Sequence, residues 1–317
     1  MNLEQLIHTA IDAKVFPGCV VGYVDSGGRK IAPFGRHTYA ENSPAVTENT
    51  VYDLASITKS IPTATLALQL LDENKIALDD AVTTHIPEYT NDATIRHLLT
   101  YTLGNTMPLS SLKDRTPEEI CAAVCAEKCS PGTVFSYSNT PAFLLGVVIE
   151  RILGMPLDII ARQRIFDPLA MASATFSPRG AVPTEEGIQD VVHDPCARVF
   201  TRAGKTVGHA GLFANARDLL TFLAHVLEKK DERLCTNQIA HLQASTALGF
   251  ELDQPWMGNT RTRRTFGKTG FTGTCIVADF EKQKALVILS NRTFPKRPPN
   301  TRAINAFRSA IADIIFA

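Results

Sequence analysis

The sequence predicts an α+β fold: an α/β sandwich with one antiparallel sheet built from both termini and a mainly helical segment inserted between them. Three observations predict it. β-rich runs with turn signals lie near each end, helical periodicity dominates the middle, and 317 residues with 44% hydrophobic content suffice for one large unit. On this reading residues 1–60 and 250–317 form a sheet-containing part and residues 61–249 a helical part, with the active site at their interface.

Each element has its own warrant. Met1 to Val15 alternates apolar residues with Glu4, His8, Asp12 and Lys14, as an amphipathic helix does. Gly18-Cys-Val-Val-Gly-Tyr-Val is a strand ending at the turn Asp25-Ser-Gly-Gly28, and Lys30 to Phe34 completes a hairpin. After a polar loop from Gly35 to Thr50, the spacing of Ile57, Ile61, Ala64, Leu68 and Leu71 predicts a helix from Ser56 to Asn74, with Pro62 expected to kink it. Thr94–Leu99, Pro117–Lys128, Thr140–Leu153 and Ala216–Leu227 show helical patterns, punctuated at Ser130-Pro-Gly-Thr133 and Asp167-Pro168. Ser177 to Thr206 has no periodicity and is expected as a surface loop. Gly270–Asp279 and Ala285–Ser290 read as two strands, and Thr301–Ile315 as a final helix. No internal repeat is evident.

Composition excludes some function classes. The 32 basic and 32 acidic residues cancel, so nothing argues for nucleic acid or an anionic membrane as partner. Arg261, Arg263 and Arg264 read as a solvated loop, with nearby Lys268 set apart below. The N-terminus lacks the basic start, apolar run and cleavage site of a secretory signal, and no apolar stretch reaches membrane-spanning length; the expected location is cytoplasmic. Seven cysteines, an odd number, fit a reducing compartment better than a disulfide framework. Cys121, Cys125 and Cys129 would form one stripe on a helix. Their spacing matches no common zinc pattern, so they read as small hydrophobes facing the core, and neither metal nor cofactor is expected.

Three short motifs carry chemistry. Ser56-Ile-Thr-Lys59 puts a hydroxyl and an amine on one face of a helical turn, where the lysine can activate an otherwise poor nucleophile. A chain of this length contains roughly one such pattern by chance, and Ser110-Ser-Leu-Lys113 is a second copy. Tyr137-Ser-Asn139 follows a turn and precedes an apolar helix. A phenol beside two cations can ionise well below its usual pKa of about 10 and serve as base, then acid. The rival Tyr89-Thr-Asn91 sits in a polar loop. Lys268-Thr269-Gly270 offers a cation, a hydroxyl donor and a residue without a side chain to obstruct substrate. A Gly-x-Ser-x-Gly elbow is absent. His209 and the His193-Asp194 pair read as structural.

In this order the three motifs resemble those of the serine β-lactamases and penicillin-binding proteins. The tyrosine leading the second motif resembles the class C β-lactamases with their D,D-peptidase and family VIII esterase relatives. Pro17-Gly18, Leu71 to Asp80, Ile95-Arg-His-Leu-Leu-Thr100, Pro131 to Asn139, Gly208-His-Ala-Gly-Leu-Phe213, Phe266 to Thr274 and Leu289 to Pro295 extend the resemblance over nearly the whole chain. It implies a β-lactamase/transpeptidase-like fold and a metal-free serine hydrolase working through an acyl-enzyme. The substrate would be a small molecule or peptide with an ester, amide or β-lactam carbonyl, and Lys268 favours one bearing a carboxylate. By the same resemblance Ser56 is the nucleophile, and Lys59 and Tyr137 handle its proton, in an order the sequence leaves open. Asn139 orients substrate, Lys268, Thr269 and Gly270 bind it, and the backbone N–H groups of Ser56 and Phe271 form the oxyanion hole. Ser56 at a helix N-terminus would add the helix dipole. β-Lactamase, esterase and D,D-peptidase activities stay open, as does a sensor that acylates without turnover. Tyr101-Thr-Leu-Gly104 departs from the family's usual His-Thr-Ser-Gly and is expected at the pocket rim.

Overall fold

The structure, a computed structural model, describes residues 2–317. Its strands are β1 (Gly18–Asp25), β2 (Gly28–Gly35), β3 (Tyr52–Asp53), β4 (Phe213–Ala214), β5 (Glu251–Leu252), β6 (Thr265–Thr269), β7 (Cys275–Asp279) and β8 (Lys284–Ser290). The α-helices are α1 (Leu3–Asp12), α2 (Thr65–Asp72), α3 (Val82–His85), α4 (Ile95–Leu99), α5 (Pro117–Ala126), α6 (Thr140–Leu153), α7 (Leu157–Ala161), α8 (Pro195–Arg202), α9 (Ala216–Lys229) and α10 (Arg302–Phe316). Six strands form one antiparallel sheet in the order β2-β1-β8-β7-β6-β5, and β3 pairs with β4.

The period-two alternation of strands decides the layering. In β8, Leu286 and Ile288 face the core under α1 and α10, with Ile7, Phe307 and Ile311. Val287 and Leu289 face the opposite core, with Leu219 and Leu220 of α9. All four are fully buried, as expected of a central strand covered on both faces. α9 packs on β1 and β8, closely enough that a Cβ at Gly22 would lie 2.9 Å from Leu220 Cδ1. Helices α2 to α8 and their loops build the second mass of the molecule, around Leu66, Leu99, Phe143 and Ile149.

Several expectations change. The single helix from Ser56 to Asn74 is three pieces: a 3-10 turn Ala55–Lys59, a wide turn Ser60–Ala64, and α2. The break sits at Ile61 (φ −121°, ψ 112°), because the residue before a proline is pushed out of the helical region. Ser56 therefore lies in a five-residue 3-10 turn, too short for the helix-dipole contribution expected of it. The strand expected from Gly270 begins only at Cys275; Gly270–Thr274 is the turn between β6 and β7, and Lys268 lies near the end of β6. α5 stops at Ala126, so Cys129 is off the helix and the cysteine stripe reduces to Cys121 and Cys125. The stretch expected as surface loop contains α8 and the buried residues His193 and Asp194.

The doubly covered sheet predicts where stability resides. Leu286→Ala should cost about 2–5 kcal/mol in urea denaturation, whereas Val134→Ala, at a half-exposed loop position, should stay within about 0.5 kcal/mol.

Candidate active site

The Ser56 turn is held from three sides. Ala55 adopts φ +52°, a left-handed conformation that costs energy in a non-glycine residue and persists only where its surroundings enforce it. The Asp53 carboxylate does so from within the turn: Oδ1 accepts from the Ala55 N–H (2.8 Å), while Oδ2 accepts from the His193 N–H (2.7 Å). The β6–β7 turn does so from the sheet, as Thr272 Oγ1 donates to Asp53 O (2.7 Å) and Thr274 Oγ1 to Leu54 O (3.1 Å). Gly270 is required at this junction, since a Cβ there would lie 2.0 Å from Thr274 Oγ1 and 2.4 Å from Leu54 O. From behind, the buried Arg308 of α10 donates to Gly270 O (2.9 Å) and Thr274 O (2.7 Å).

Within this frame Lys59 Nζ donates to Ser56 Oγ (2.8 Å) and to His209 O (2.9 Å). Lys59 is buried, and burial lowers its pKa from the usual lysine value; the nearby Tyr137 phenol works against that and Lys268 with it. The N–H groups of Ser56 and Phe271 donate to no backbone acceptor among the described residues, leaving both available to an oxyanion.

The second motif is fixed to the segment carrying Tyr101: Gly132 N–H donates to Thr102 O (2.8 Å) and Ser136 N–H to Tyr101 O (2.9 Å). Lys268 then enters from β6. Its ammonium is fully buried, 4.3 Å from the Tyr137 ring centroid and 4.7 Å from that of Tyr101. Glu251 Oε1 lies 3.1 Å from Lys268 Nζ, brought there because β5 pairs Glu251 with Gly267. The charge expected to meet a substrate carboxylate is thus already balanced by a protein carboxylate. Lys59 Nζ lies 5.5 Å from the same Tyr137 centroid. Burial alone would raise the Tyr137 pKa; Lys268 and then Lys59 outweigh it and hold the phenol below its ordinary value. Tyr137 is 45% exposed, so solvent weakens these fields. Burial raises Tyr101 above the ordinary phenol range, so of the two phenols, tilted at 50° to one another, Tyr137 is the more acidic.

Asn139 closes the far side, donating through Nδ2 to Asp194 Oδ2 (3.1 Å). Asp194 caps α8, with Oδ1 accepting from the Ala197 N–H (2.9 Å) and facing His209 Nε2 at 3.3 Å. Burial opposes ionisation of Asp194, but the His209 and Ala197 bonds hold it well below the usual carboxylate range. Burial lowers His209, so the imidazole is neutral and Nε2 carries the donated proton. Ser56, Lys59, Tyr137, Asn139, Thr269, Gly270 and Phe271 all line one cavity of about 520 Å³. Arg292, Arg297 and Arg308 line it as well, together with the carboxylates of Asp194 and Glu251.

The rival motifs separate cleanly. Ser110 reaches the cavity rim, while its Lys113 partner is exposed on the surface. Tyr89 is buried, and Asn91 is a structural clasp, donating to Glu127 O (2.8 Å) and accepting from the Cys129 N–H (2.9 Å). The three motifs leave out Glu251 and the three arginines, and Asp194, read as structural, lines the cavity and bonds Asn139. For Arg308 a signal existed: it occupies the apolar stripe Ile304, Phe307, Ile311 of α10, where a cation needs a reason.

Known proteins resemble this chain in sequence and in fold. A profile of the family described as Beta-lactamase matches residues 3–310. A protein of Escherichia coli O157:H7 named "Putative D-alanyl-D-alanine carboxypeptidase" is 26% identical over 328 residues, covering 80% of this chain and 73% of its own. Among solved structures, "EstCE1, a hydrolase with promiscuous acyltransferase activity" superposes with a TM-score of 0.78 at 19% identity, over 98% of this chain and 97% of that one. A class C β-lactamase from Rhodobacter sphaeroides superposes with a TM-score of 0.73 at 20% identity, over 96% and 97%. The fold is that of the β-lactamase/transpeptidase group. No helix among the described residues is long and apolar enough to cross a membrane.

The tight junction at Gly270 yields a test. Gly270→Ala should slow phosphonylation of Ser56 by a fluorophosphonate probe about 100-fold, by displacing the Ser56 turn from the Phe271 N–H; a rate within about threefold of wild type would show that the junction does not set the nucleophile's position.

Proposed function

Because the chain belongs to the β-lactamase family, we propose that it is a serine hydrolase acting through an acyl-enzyme on carboxylate-bearing esters, amides or β-lactams. The observation that carries this reading is the position of Ser56 Oγ: it accepts a hydrogen bond from Lys59 at 2.8 Å, in a turn shared with one free N–H and beside another. Since Lys59 donates to Oγ, the hydroxyl's own proton points elsewhere, and the depressed phenol of Tyr137 is the base beside it.

In acylation, Ser56 Oγ attacks the carbonyl carbon as its proton passes to the Tyr137 phenolate. The Ser56 and Phe271 N–H groups take the oxyanion. Tyr137 then protonates the leaving group as the scissile bond breaks, regenerating its phenolate. In deacylation a water attacks the acyl ester, its proton passes to Tyr137, and that proton returns to Ser56 Oγ as the acid leaves. Lys59 and Lys268 stay charged or hydrogen-bonded throughout and keep the phenol's two states close in energy.

The three arginines of the cavity support an anionic substrate. Arg308 and Arg292 are buried and have no carboxylate partner among the described residues. Burial, then Arg308, pushes Arg292 down to about 10. Arg297 is engaged by Glu185 at 2.8 Å. Uncompensated buried cations are costly, and a substrate carboxylate would neutralise them. That role falls to the arginines because Lys268 is occupied by Glu251.

A parallel assay of short-chain p-nitrophenyl esters, a chromogenic cephalosporin and a D-Ala-D-Ala peptide tests this reading. At least one should be turned over, with Ser56→Ala losing more than about 10⁴-fold in kcat; no turnover with any of them and no Ser56 adduct would contradict it. A covalent adduct that persists for hours would make the protein a sensor instead. The pH profile adds a signed prediction. Activity should rise as Tyr137 ionises, and Glu251 works against that ionisation. Glu251→Gln should therefore move the acid limb of kcat/KM to lower pH, and a shift to higher pH would refute the assignment.

A further inference from the structure

We infer that a second cavity, which shares only Arg292 with the cavity of Ser56, binds a small aromatic dicarboxylate, and that this ligand competes with an anionic substrate for the charge of Arg292. The site itself stands apart from the hydrolase reading; the competition rests on it.

The second cavity holds about 510 Å³, within the range of small-molecule sites. It lies among the loop after α1, the loop after β2, the segment after β8 and the start of α10. Three cations line it, Lys14, Arg292 and Lys296, and no aspartate or glutamate does. That is a strong local bias in a chain with 32 basic and 32 acidic residues. None of the three forms an ion pair among the described residues. The exposed lysines leave their charge to water, but Arg292 is only 5% exposed. Its Nε donates to Phe271 O (2.9 Å) and its Nη1 to Asn300 O (3.2 Å), while Nη2 bonds no protein group among the described residues. Two carbonyls do not balance a buried charge; a carboxylate does, and it fits the guanidinium fork.

Apolar surface completes the site. The rings of Tyr39 and Phe294 stand 6.3 Å apart at 40° to one another, too near for a third ring to enter between them, so they form a wall against which a ring can lie. The Tyr39 hydroxyl donates to Lys14 O (3.0 Å) and ties this wall to the loop after α1. Three unpaired cations call for more than one negative charge, and the two rings for an aromatic body.

Arg292 also lines the cavity of Ser56, and no other residue lines both. A dianion in the second cavity neutralises a guanidinium that otherwise attracts a substrate carboxylate. Two anions that share one cation repel, whereas a neutral substrate is indifferent. Each anionic ligand therefore weakens the other by the same factor.

Calorimetric titration of the full-length protein with isophthalate tests the site, with malonate supplying the charge alone and benzamide the ring alone. Isophthalate should bind at least about tenfold more tightly than either. The double variant Lys14→Glu, Lys296→Glu, changed at two exposed positions, should keep a cooperative melt and bind isophthalate at least about tenfold more weakly than wild type. Binding no tighter than that of malonate or benzamide in the wild-type protein would overturn the inference, whether or not the variant folds. So would undiminished affinity in a folded double variant. For the competition, saturating isophthalate should raise KM for a carboxylate-bearing chromogenic cephalosporin by about threefold or more and leave that for p-nitrophenyl acetate unchanged. An equal rise for both would place isophthalate beside Ser56 and overturn it. Failure of both substrates to react would overturn the hydrolase reading, and the titration would still decide the site.

Discussion

Two lysine ammonium groups buried beside one phenol are the constraint around which this molecule is arranged. Lys59 reaches Tyr137 from the nucleophile's turn and Lys268 from the sheet. Neither charge is tolerable alone in a low-dielectric site. Glu251 offsets one, two aromatic faces share it, and the remaining excess of positive charge acts on Tyr137. A phenol with a depressed pKa is the outcome of that imbalance, and it gives the site a proton acceptor without a histidine in the reacting shell.

The fold supplies the geometry that this arrangement requires. β6 delivers Lys268 and, through the β6–β7 turn, ties the Ser56 turn to the sheet by Thr272 and Thr274. Arg308 holds the same turn from α10, so the C-terminal helix contributes to the site although its other contacts lie in the opposite core layer. On the helical side, Asp194 and His209 lock Asn139 and the carbonyl that steadies Lys59. Sheet and helical regions each provide half of the constellation, and a displacement of either by an ångström would separate nucleophile from base.

Much of this was legible in the sequence because chemistry restricts residue type. Ser56, Lys59, Tyr137 and Lys268 stand out by identity and order, and α6 and α9 by period. What escaped has a physical cause. Phe271 to Thr274 has the composition of a strand, but its threonines bond the Ser56 turn instead of continuing the ladder. The helix after Ser56 keeps apolar spacing across Pro62, so periodicity conceals the break at Ile61. Glu251 meets Lys268 only through strand register, which no local pattern encodes. Within residues 177–206 only the eight residues of α8 bury a helix face, through Cys196, Ala197 and Phe200, too short a run for its period to stand out, and Asp194 caps it.

On this arrangement Tyr137 ionises early because two buried ammonium groups stand beside it. The most direct measurement is a pH titration by NMR of the protein labelled with ¹³Cζ-tyrosine, with the Tyr137 resonance assigned by its loss in Tyr137→Phe. This resonance should titrate below the ordinary phenol value of about 10 and move to higher pH in Lys268→Met. A Tyr137 resonance that titrates at or above about 10 in the wild-type protein would contradict it.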